Sequence, residues 1–230
     1  MVQTGFLTLA IALVTLVLCF LSTKTNSELQ TSKRLLIVIL VSWVGYLALM
    51  GNLGFFNDNS LPPRVPLFLI LPIFLSLFLW LRKAGSKLII QSIPFYFPVA
   101  IQSFRVVVEL LIHATYGQGL LPRIVTYEGV NFDILVGLTA PLATGLHYRG
   151  IIGDRVLLGW NFVSLTVLAS TVSTFVIAFY FGDQLNIPKF PMVVGNLPFI
   201  FLPGIMVPFA VFMHIISIRL ITFKMKKAAI

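Results

Sequence analysis

SIPFYFPVAIQSFRVVVELLIHATY, residues 92–116, is the stretch that decides the fold class of this chain. About 20 mostly apolar residues are enough for a helix to cross a bilayer, and this run exceeds that length. Because each helical residue advances about 100°, its polar side chains fall within an arc of about 80°. Charged groups in hydrocarbon are costly, so this stripe must face other helices or a polar cavity. The stripe consists of Gln102, Arg105, Glu109, His113 and Tyr116.

The composition of the whole chain indicates a membrane protein. Of its 230 residues, 58% are hydrophobic and 10% are charged, and the mean hydropathy is +1.01. About a quarter of the residues of a soluble domain are charged. Because no polar segment is long enough to fold separately, we expect residues 1–230 to form a single transmembrane helical domain.

Apolar windows along the chain predict an all-α fold, a polytopic transmembrane bundle of about seven helices. Short polar connections separate the windows, and each window approaches the length that a bilayer requires. The spans are expected near residues 3–22, 35–55, 65–82, 92–116, 132–148, 155–181 and 197–223.

The basic residues predict the orientation of this bundle. With seven spans, twelve of the sixteen Lys and Arg residues lie on one side, which the positive-inside rule assigns to the cytoplasm. We therefore expect an outside N-terminus, a cytoplasmic C-terminus and a net charge of +9 that serves orientation, with no nucleic-acid partner. The fifth span is short and contains Pro141, and without it everything after residue 132 would be inverted. The twelve are Lys24, Lys33, Arg34, Arg82, Lys83, Lys87, Arg149, Arg155, Arg219, Lys224, Lys226 and Lys227, whereas Arg64, Arg123 and Lys189 lie opposite.

Prolines interrupt several of the predicted spans. A proline inside a helix removes one backbone hydrogen bond, and membrane helices tolerate this where a neighbour satisfies the freed carbonyl. Gly137, Pro141 and Gly145 also form a smooth face on which another helix could pack closely. Ordinary packing is one interpretation of these features, and kinks that open a central cavity are the other.

Arg105 and Glu109 carry opposite charges four residues apart on the predicted helix. Side chains at this spacing can pair directly, which lowers the cost of burying both. A structural ion pair is one interpretation. The alternatives are a cavity in which Arg105 anchors an anionic or amphiphilic ligand, and a proton path through Glu109 and His113.

The connection after residue 116 adds further polar residues that we expect on the outer side. Asn131 and Asp133 could act as helix caps at the start of the fifth span. Acidic and imidazole groups in this cluster are conceivable ligands for a divalent metal, but no metal-binding spacing is present, so we predict no metal and no cofactor. The expected ligand-binding residues are Gln102, Arg105, Glu109, His113, Tyr116, Tyr127, Glu128, Asn131 and Asp133.

A second, smaller polar set is expected toward the cytoplasmic side. Hydrogen bonds between helices are one role for these residues, and a cytoplasmic half-site is the other. The set comprises His147, Asn161, Ser164 and His214.

Two stretches, QSFRVVVELLIH at 102–113 and YEGVNFDILVGLTAP at 127–141, resemble signatures of an uncharacterised family of bacterial multi-pass membrane proteins. The resemblance covers about residues 90–145. It implies location in the bacterial cytoplasmic (inner) membrane and carries no activity with it.

Three functions are compatible with these patterns. The first is binding or transport of a small polar, anionic or amphiphilic solute in an outer-half cavity, with Arg105 as the charge anchor. The second is an intramembrane enzyme acting on lipid, with Glu109 or His113 as general base. The third is an accessory subunit whose polar stripe meets a partner helix. The expected partners are the lipid bilayer and a small-molecule or lipid ligand.

Overall fold

The computed structural model describes residues 1–23, 27–188, 190–191 and 193–228. Two basic residues used above for the orientation, Lys24 and Lys189, lie outside this part of the chain. Within it the structure contains helices and turns and no β-strand, so the all-α prediction is confirmed there.

The long helices overlap the predicted apolar windows, although the second begins at Ser27 instead of near residue 35, and a short helix at Ala84–Gln91 lies between two windows. Short π-helical segments, Pro66–Ile70 and Leu202–Met206, precede the third and ninth helices, and a 3-10 turn, Ile101–Ser103, joins the fifth helix to the sixth. The helices are α1 (Val2–Ser22), α2 (Ser27–Asn52), α3 (Leu71–Leu81), α4 (Ala84–Gln91), α5 (Phe97–Ala100), α6 (Phe104–Gly117), α7 (Asp133–Tyr148), α8 (Asp154–Tyr180) and α9 (Val207–Ala228).

Five stretches of the described chain are long and apolar enough to cross a membrane, and a sixth results if Pro66–Leu81 and Gly85–Gln91, bent by 93°, form one span. The predicted fifth span, α7, has only 16 residues. It is therefore about 24 Å long, against a hydrocarbon core of about 30 Å. The described part of the chain supports a multi-pass membrane protein with five or six candidate spans, and the seven spans expected stay a prediction. The five stretches are Val2–Ser22, Leu29–Asn52, Phe97–Gly117, Asp154–Tyr180 and Leu202–Lys227.

The chain divides into two compact units. The first comprises Met1–Ser92 and Pro191–Pro208, and the second comprises Ile93–Phe190 and Phe209–Ile230. The single domain expected for residues 1–230 stays a prediction.

In the first unit, Lys33 of α2 forms hydrogen bonds with Thr23 at the C-terminal end of α1. Its ammonium group donates to the hydroxyl of Thr23 at 2.7 Å and to the backbone carbonyl of Thr23 at 3.2 Å. The carbonyls at a helix C-terminus carry partial negative charge, so a cation is favourable there. The side chain of Lys33 is only 1% exposed, and this lysine therefore stabilises the fold of the first unit in addition to any effect on orientation.

Two aromatic side chains of α2 satisfy carbonyls that prolines leave without their helical donors. Pro208 has no N–H for the carbonyl of Gly204, which accepts a hydrogen bond from Trp43 Nε1 at 2.8 Å. Pro72 likewise cannot donate to the carbonyl of Phe68, which accepts from the Tyr46 hydroxyl at 3.0 Å. Neighbouring side chains thus replace the lost backbone donors at these two prolines, as expected for a membrane protein.

The connection that follows α2 carries an exposed ion pair. Arg64 Nη2 lies 2.7 Å from Asp58 Oδ2, and the backbone N–H of Ser60 donates to Asp58 Oδ1 at 2.8 Å. The hydrogen bonds from Ser60, followed by the charge of Arg64, hold the pKa of the Asp58 carboxyl below its usual value.

In the second unit, α7 packs closely against α6 because Gly137 has no side chain. A Cβ atom at Gly137 would lie 2.7 Å from the backbone nitrogen of Val106, on the next residue after Arg105. At Gly137 the smooth face expected from the sequence is therefore packed against α6. At Gly145, two turns further on, a Cβ atom would meet nothing within 4 Å, so the face does not extend to that residue.

We predict that Gly137→Ala destabilises the protein by about 1–3 kcal/mol, since the added methyl group would collide with the backbone of α6. Gly145→Ala is the matched control on the same helix, and its higher helix propensity should leave stability unchanged or raise it by about 0.5–1 kcal/mol. The free energy of unfolding, measured by denaturant titration in mixed micelles, checks both values. Equal effects of the two substitutions would contradict the close approach of α6 and α7.

Candidate functional site

Arg105 on α6 forms a buried ion pair with Asp133, the first residue of α7. Nε of Arg105 donates to Asp133 Oδ2 at 2.7 Å, and Nη2 pairs with the other carboxylate oxygen. Both side chains are almost fully buried, with exposures of 1% and 3%. Two parallel N–H to oxygen contacts are the strongest geometry that arginine and a carboxylate adopt. The partner of Arg105 is therefore Asp133, and the direct pairing with Glu109 that spacing suggested is not what the structure contains.

The remaining terminal nitrogen of Arg105 begins a chain of hydrogen bonds through α9 and α8. Nη1 lies 3.2 Å from His214 Nε2, and His214 Nδ1 lies 2.9 Å from Asn161 Oδ1. Arginine is only a donor, so Nε2 must accept and the proton of a neutral imidazole must lie on Nδ1. Asn161 in turn donates from Nδ2 to the backbone carbonyl of Leu157 at 2.9 Å. Two members of the predicted cytoplasmic set thus belong to the Arg105 cluster.

Asn131 connects this ion pair to Glu109. Its Nδ2 atom donates to Glu109 Oε2 at 2.8 Å and to the carbonyl of Val125 at 2.9 Å. Its Oδ1 atom accepts from the backbone N–H of Asp133 at 3.0 Å and from the Thr171 hydroxyl at 2.8 Å. All four hydrogen-bonding positions of the amide are therefore used, which fixes its orientation. The name "buried network" below refers to Arg105, Asp133, His214, Asn161, Asn131, Thr171 and Glu109.

The capping role considered for Asn131 is met only in part: Phe132 holds the N-cap position without a side-chain cap, and Asn131 Oδ1, one residue earlier, accepts from the first N–H of α7. Asp133 does not cap, because it is already the first helical residue and its carboxylate faces Arg105. Asp133 is an ion-pair partner whose position near the start of α7 places it within reach of α6.

Two buried acceptor atoms, one on α6 and one in the 3-10 turn before it, have no hydrogen-bond partner among the described residues. They are Oε1 of Glu109 and Oε1 of Gln102, whose side chains are 1% and 0% exposed. The other end of each side chain is held, Glu109 by Asn131 and Gln102 by the carbonyl of Ala210 at 3.0 Å. Because an unmet buried acceptor is costly, these atoms mark where a donor would be bound most favourably.

The outer residues of the predicted site form a separate, partly exposed cluster. The ring of His113 stacks on Tyr127 with centroids 4.6 Å apart and lies 5.9 Å from Tyr116. Its Nε2 atom is 3.6 Å from Glu128 Oε1, and Arg123 Nε is 3.7 Å from the other oxygen of Glu128. The stripe on α6 therefore divides into a buried part, which includes Gln102, Arg105 and Glu109, and this outer part.

His147 of the predicted cytoplasmic set lies in a different cluster. Its Nε2 atom is 2.7 Å from Asp154 Oδ1, an oxygen that also accepts from Lys224 Nζ at 2.7 Å. Ser164 is buried, with 1% exposure. The four residues of that set therefore do not form one half-site.

The acidic and imidazole groups considered for a metal have other partners. Asp133 pairs with Arg105, Glu109 accepts from Asn131, and His113 lies beside Glu128. In the part of the chain that the structure describes, no group of three or more His, Cys, Asp or Glu side chains is arranged to hold a metal ion.

Sequence reasoning did not identify Thr171 as a partner of Asn131, or Asp133 as the partner of Arg105. Both contacts join residues far apart in the chain, and helical periodicity relates only residues of one helix. The one local signal was the presence of a second acid, Asp133, close after the polar stripe.

Comparison with known proteins finds no matching family model, no matching curated protein and no matching solved structure. What is established is therefore a multi-pass arrangement of apolar helices with a buried polar network in its second unit.

We predict that Asp133→Asn destabilises the protein by about 3–5 kcal/mol, because it leaves the guanidinium of Arg105 buried without its counterion. The double variant Arg105→Leu/Asp133→Leu should be destabilised by less than the sum of the two single substitutions. Unfolding free energies in mixed micelles give this coupling.

The exposed pair of Arg64 and Asp58, with side chains 36% and 39% exposed, is the control for the buried pair. Asp58→Asn should change stability by less than about 1 kcal/mol. Additive effects at Arg105 and Asp133, or an equal loss at Asp58, would contradict the buried pair.

Proposed function

We propose that this membrane protein binds or transports a small polar solute that donates hydrogen bonds, at the buried face that carries Gln102, Arg105 and Glu109. The observation that carries the proposal is the pair of acceptor atoms without partners, Oε1 of Glu109 and Oε1 of Gln102. The two residues are seven positions apart, which corresponds to a rise of about 10 Å along a helix, and they share the face that carries Arg105. A solute with an ammonium, amine or hydroxyl group matches this chemistry.

The charge of the preferred solute differs from the sequence-based expectation. Arg105 was expected to anchor an anion, but its charge is already opposed by Asp133 through two contacts. An anion at Arg105 would have to displace a buried carboxylate, which is strongly unfavourable. The unopposed buried group is the carboxylate of Glu109, so a neutral donor or a cation fits better than an anion.

The burial of the stripe also argues against an accessory role in which it meets a partner helix. Gln102, Arg105 and Glu109 are between 0% and 1% exposed within the chain itself. They therefore present no surface to another protein, and a role internal to this chain is favoured.

The proposed setting is the bacterial cytoplasmic membrane, with seven crossings, the N-terminus outside and the C-terminus in the cytoplasm. The excess of basic residues on one side supports this orientation. It requires α7 to cross the membrane in spite of its 16 residues. Local thinning of the bilayer can accommodate a short span at modest cost.

The topology predicts that the two ends of α7 lie on opposite sides. In a Cys19→Ser background, which removes the single cysteine, a cysteine at Gln118 should react with a membrane-impermeant maleimide in intact cells. A cysteine at Ile151, which is 65% exposed, should react only after the cells are opened. Reaction of both positions from the same side would rule out a crossing by α7.

The solute proposal predicts that methylammonium raises the midpoint of thermal unfolding, whereas acetate at equal ionic strength does not. A ligand at about 100 times its Kd stabilises the folded state by about 2.7 kcal/mol. Glu109→Gln and Glu109→Leu should each reduce the methylammonium shift, since each removes the carboxylate oxygen of Glu109 that has no partner.

Thr166→Val is the control for these variants, because the exposed Thr166 hydroxyl donates only to the carbonyl of Phe162 on its own helix. It should leave the methylammonium shift unchanged. Stabilisation by acetate alone, or a methylammonium shift that Glu109→Gln retains in full, would overturn the proposal.

A further inference from the structure

Glu109 is the one member of the buried network whose charge has no direct counterion among the described residues. Its Oε2 atom accepts a single hydrogen bond from Asn131, and its Oε1 atom has no partner. The side chain is 1% exposed, so bulk water does not solvate the carboxylate. An ionised carboxyl in this position is costly, because both burial and the surrounding hydrocarbon disfavour the charge.

The groups around Glu109 do not remove this cost. On its own helix, Arg105 lies one turn away but is held by Asp133 of α7, and the His214 ring of α9 accepts from Arg105 and is neutral. On α8 the nearest group of the network is the uncharged hydroxyl of Thr171. The buried network thus contains one cation and two carboxyl groups, and it has a net charge of −1 if both are ionised.

A metal ion is a poor candidate for the missing positive charge. Hard cations such as calcium take six to eight oxygen ligands, and here Glu109 offers one oxygen without a partner. The other acceptor without a partner on this face, on Gln102, is seven residues away, which is about 10 Å of helical rise. A proton needs only the one carboxylate oxygen, and the resulting O–H group is itself a hydrogen-bond donor.

We propose that Glu109 is a proton-binding site that carries a proton when no solute is bound, and that exchanges it with the outer side through His113. The carboxylate oxygen gains the proton and the network becomes neutral. On the proposed function, a cationic solute takes the place of this proton at the same oxygen. Binding of such a solute then releases one proton, and the charge of the buried network is conserved.

The outer cluster supplies the relay for this proton. His113 is one turn from Glu109 on the same face of α6, and its Nδ1 atom is buried without a partner among the described residues. Its Nε2 atom is 3.6 Å from Glu128, whose side chain is 41% exposed. The imidazole takes a proton at Nε2 from the exposed side and gives up its Nδ1 proton toward Glu109, so one proton enters and one leaves the ring. The charged groups beside this route are Glu128 and Arg123.

Infrared spectroscopy of the solute-free, full-length protein in lipid nanodiscs tests the proton site. The chain has only three glutamates, Glu28, Glu109 and Glu128, so uniform ¹³C-glutamate labelling marks few carboxyl groups. We expect a carbonyl stretch of a protonated carboxylic acid that shifts on labelling, persists in Glu128→Gln and is lost in Glu109→Gln. Circular dichroism and size-exclusion chromatography show whether each variant is folded.

If Glu109→Gln does not fold, the labelled wild type together with Glu28→Gln and Glu128→Gln assigns the band by elimination. Absence of a protonated glutamate band in the folded wild type overturns the proposal, as does a band that Glu109→Gln retains. Because no solute is present, these results are independent of the solute test. A Glu109 band without any methylammonium shift would refute the proposed function and leave the proton site standing.

The relay has its own test in the rate at which this band responds to a pH jump. His113→Phe preserves an aromatic ring beside Tyr127 but removes both ring nitrogens. It should slow the response at least about tenfold and leave the final band intensity unchanged. An unchanged rate would overturn the relay through His113.

Discussion

The ion pair between Arg105 and Asp133 is the interaction on which the second unit depends. A guanidinium at membrane depth is tolerable only beside a carboxylate and away from lipid. The pair meets this requirement because both side chains are almost fully buried and joined by two contacts. Reaching Asp133 from α6 requires a close approach of two helices, which Gly137 permits one turn further along α7. The glycine and the ion pair are therefore parts of the same packing arrangement.

On one side of this ion pair the hydrogen bonds end at a backbone carbonyl, and on the other side they end at an atom that has no partner. Toward α9 and α8, each side chain donates to the next acceptor. Arg105 donates to His214, His214 donates to Asn161, and Asn161 donates to a backbone carbonyl. Toward Glu109 the chain ends at an oxygen without a partner. A network that served stability alone would gain by ending at a satisfied group. The unmet acceptor is the observation from which we propose solute and proton binding.

Much of the fold could be predicted from the sequence, and less of the site. Apolar windows located the long helices because spanning length is a property of local composition. Helical periodicity placed Gln102, Arg105 and Glu109 on one buried face. The same periodicity favoured Glu109 as the partner of Arg105, whereas the structure uses Asp133, 28 residues away. Periodicity also could not predict which polar residues share a cluster, because tertiary packing decides this. His214 and Asn161 join Arg105, whereas His147 joins Asp154.

The most direct test of this account is a solid-state NMR measurement, in lipid bilayers, of the dipolar coupling between the guanidinium nitrogens of Arg105 and the carboxyl carbon of Asp133. If the pair is buried, the coupling is strong and the guanidinium protons are protected from exchange with deuterated water. A weak coupling with rapid exchange would show that the two groups reach solvent separately. In that case the second unit has no buried charge to neutralise, and the explanation of the site is contradicted.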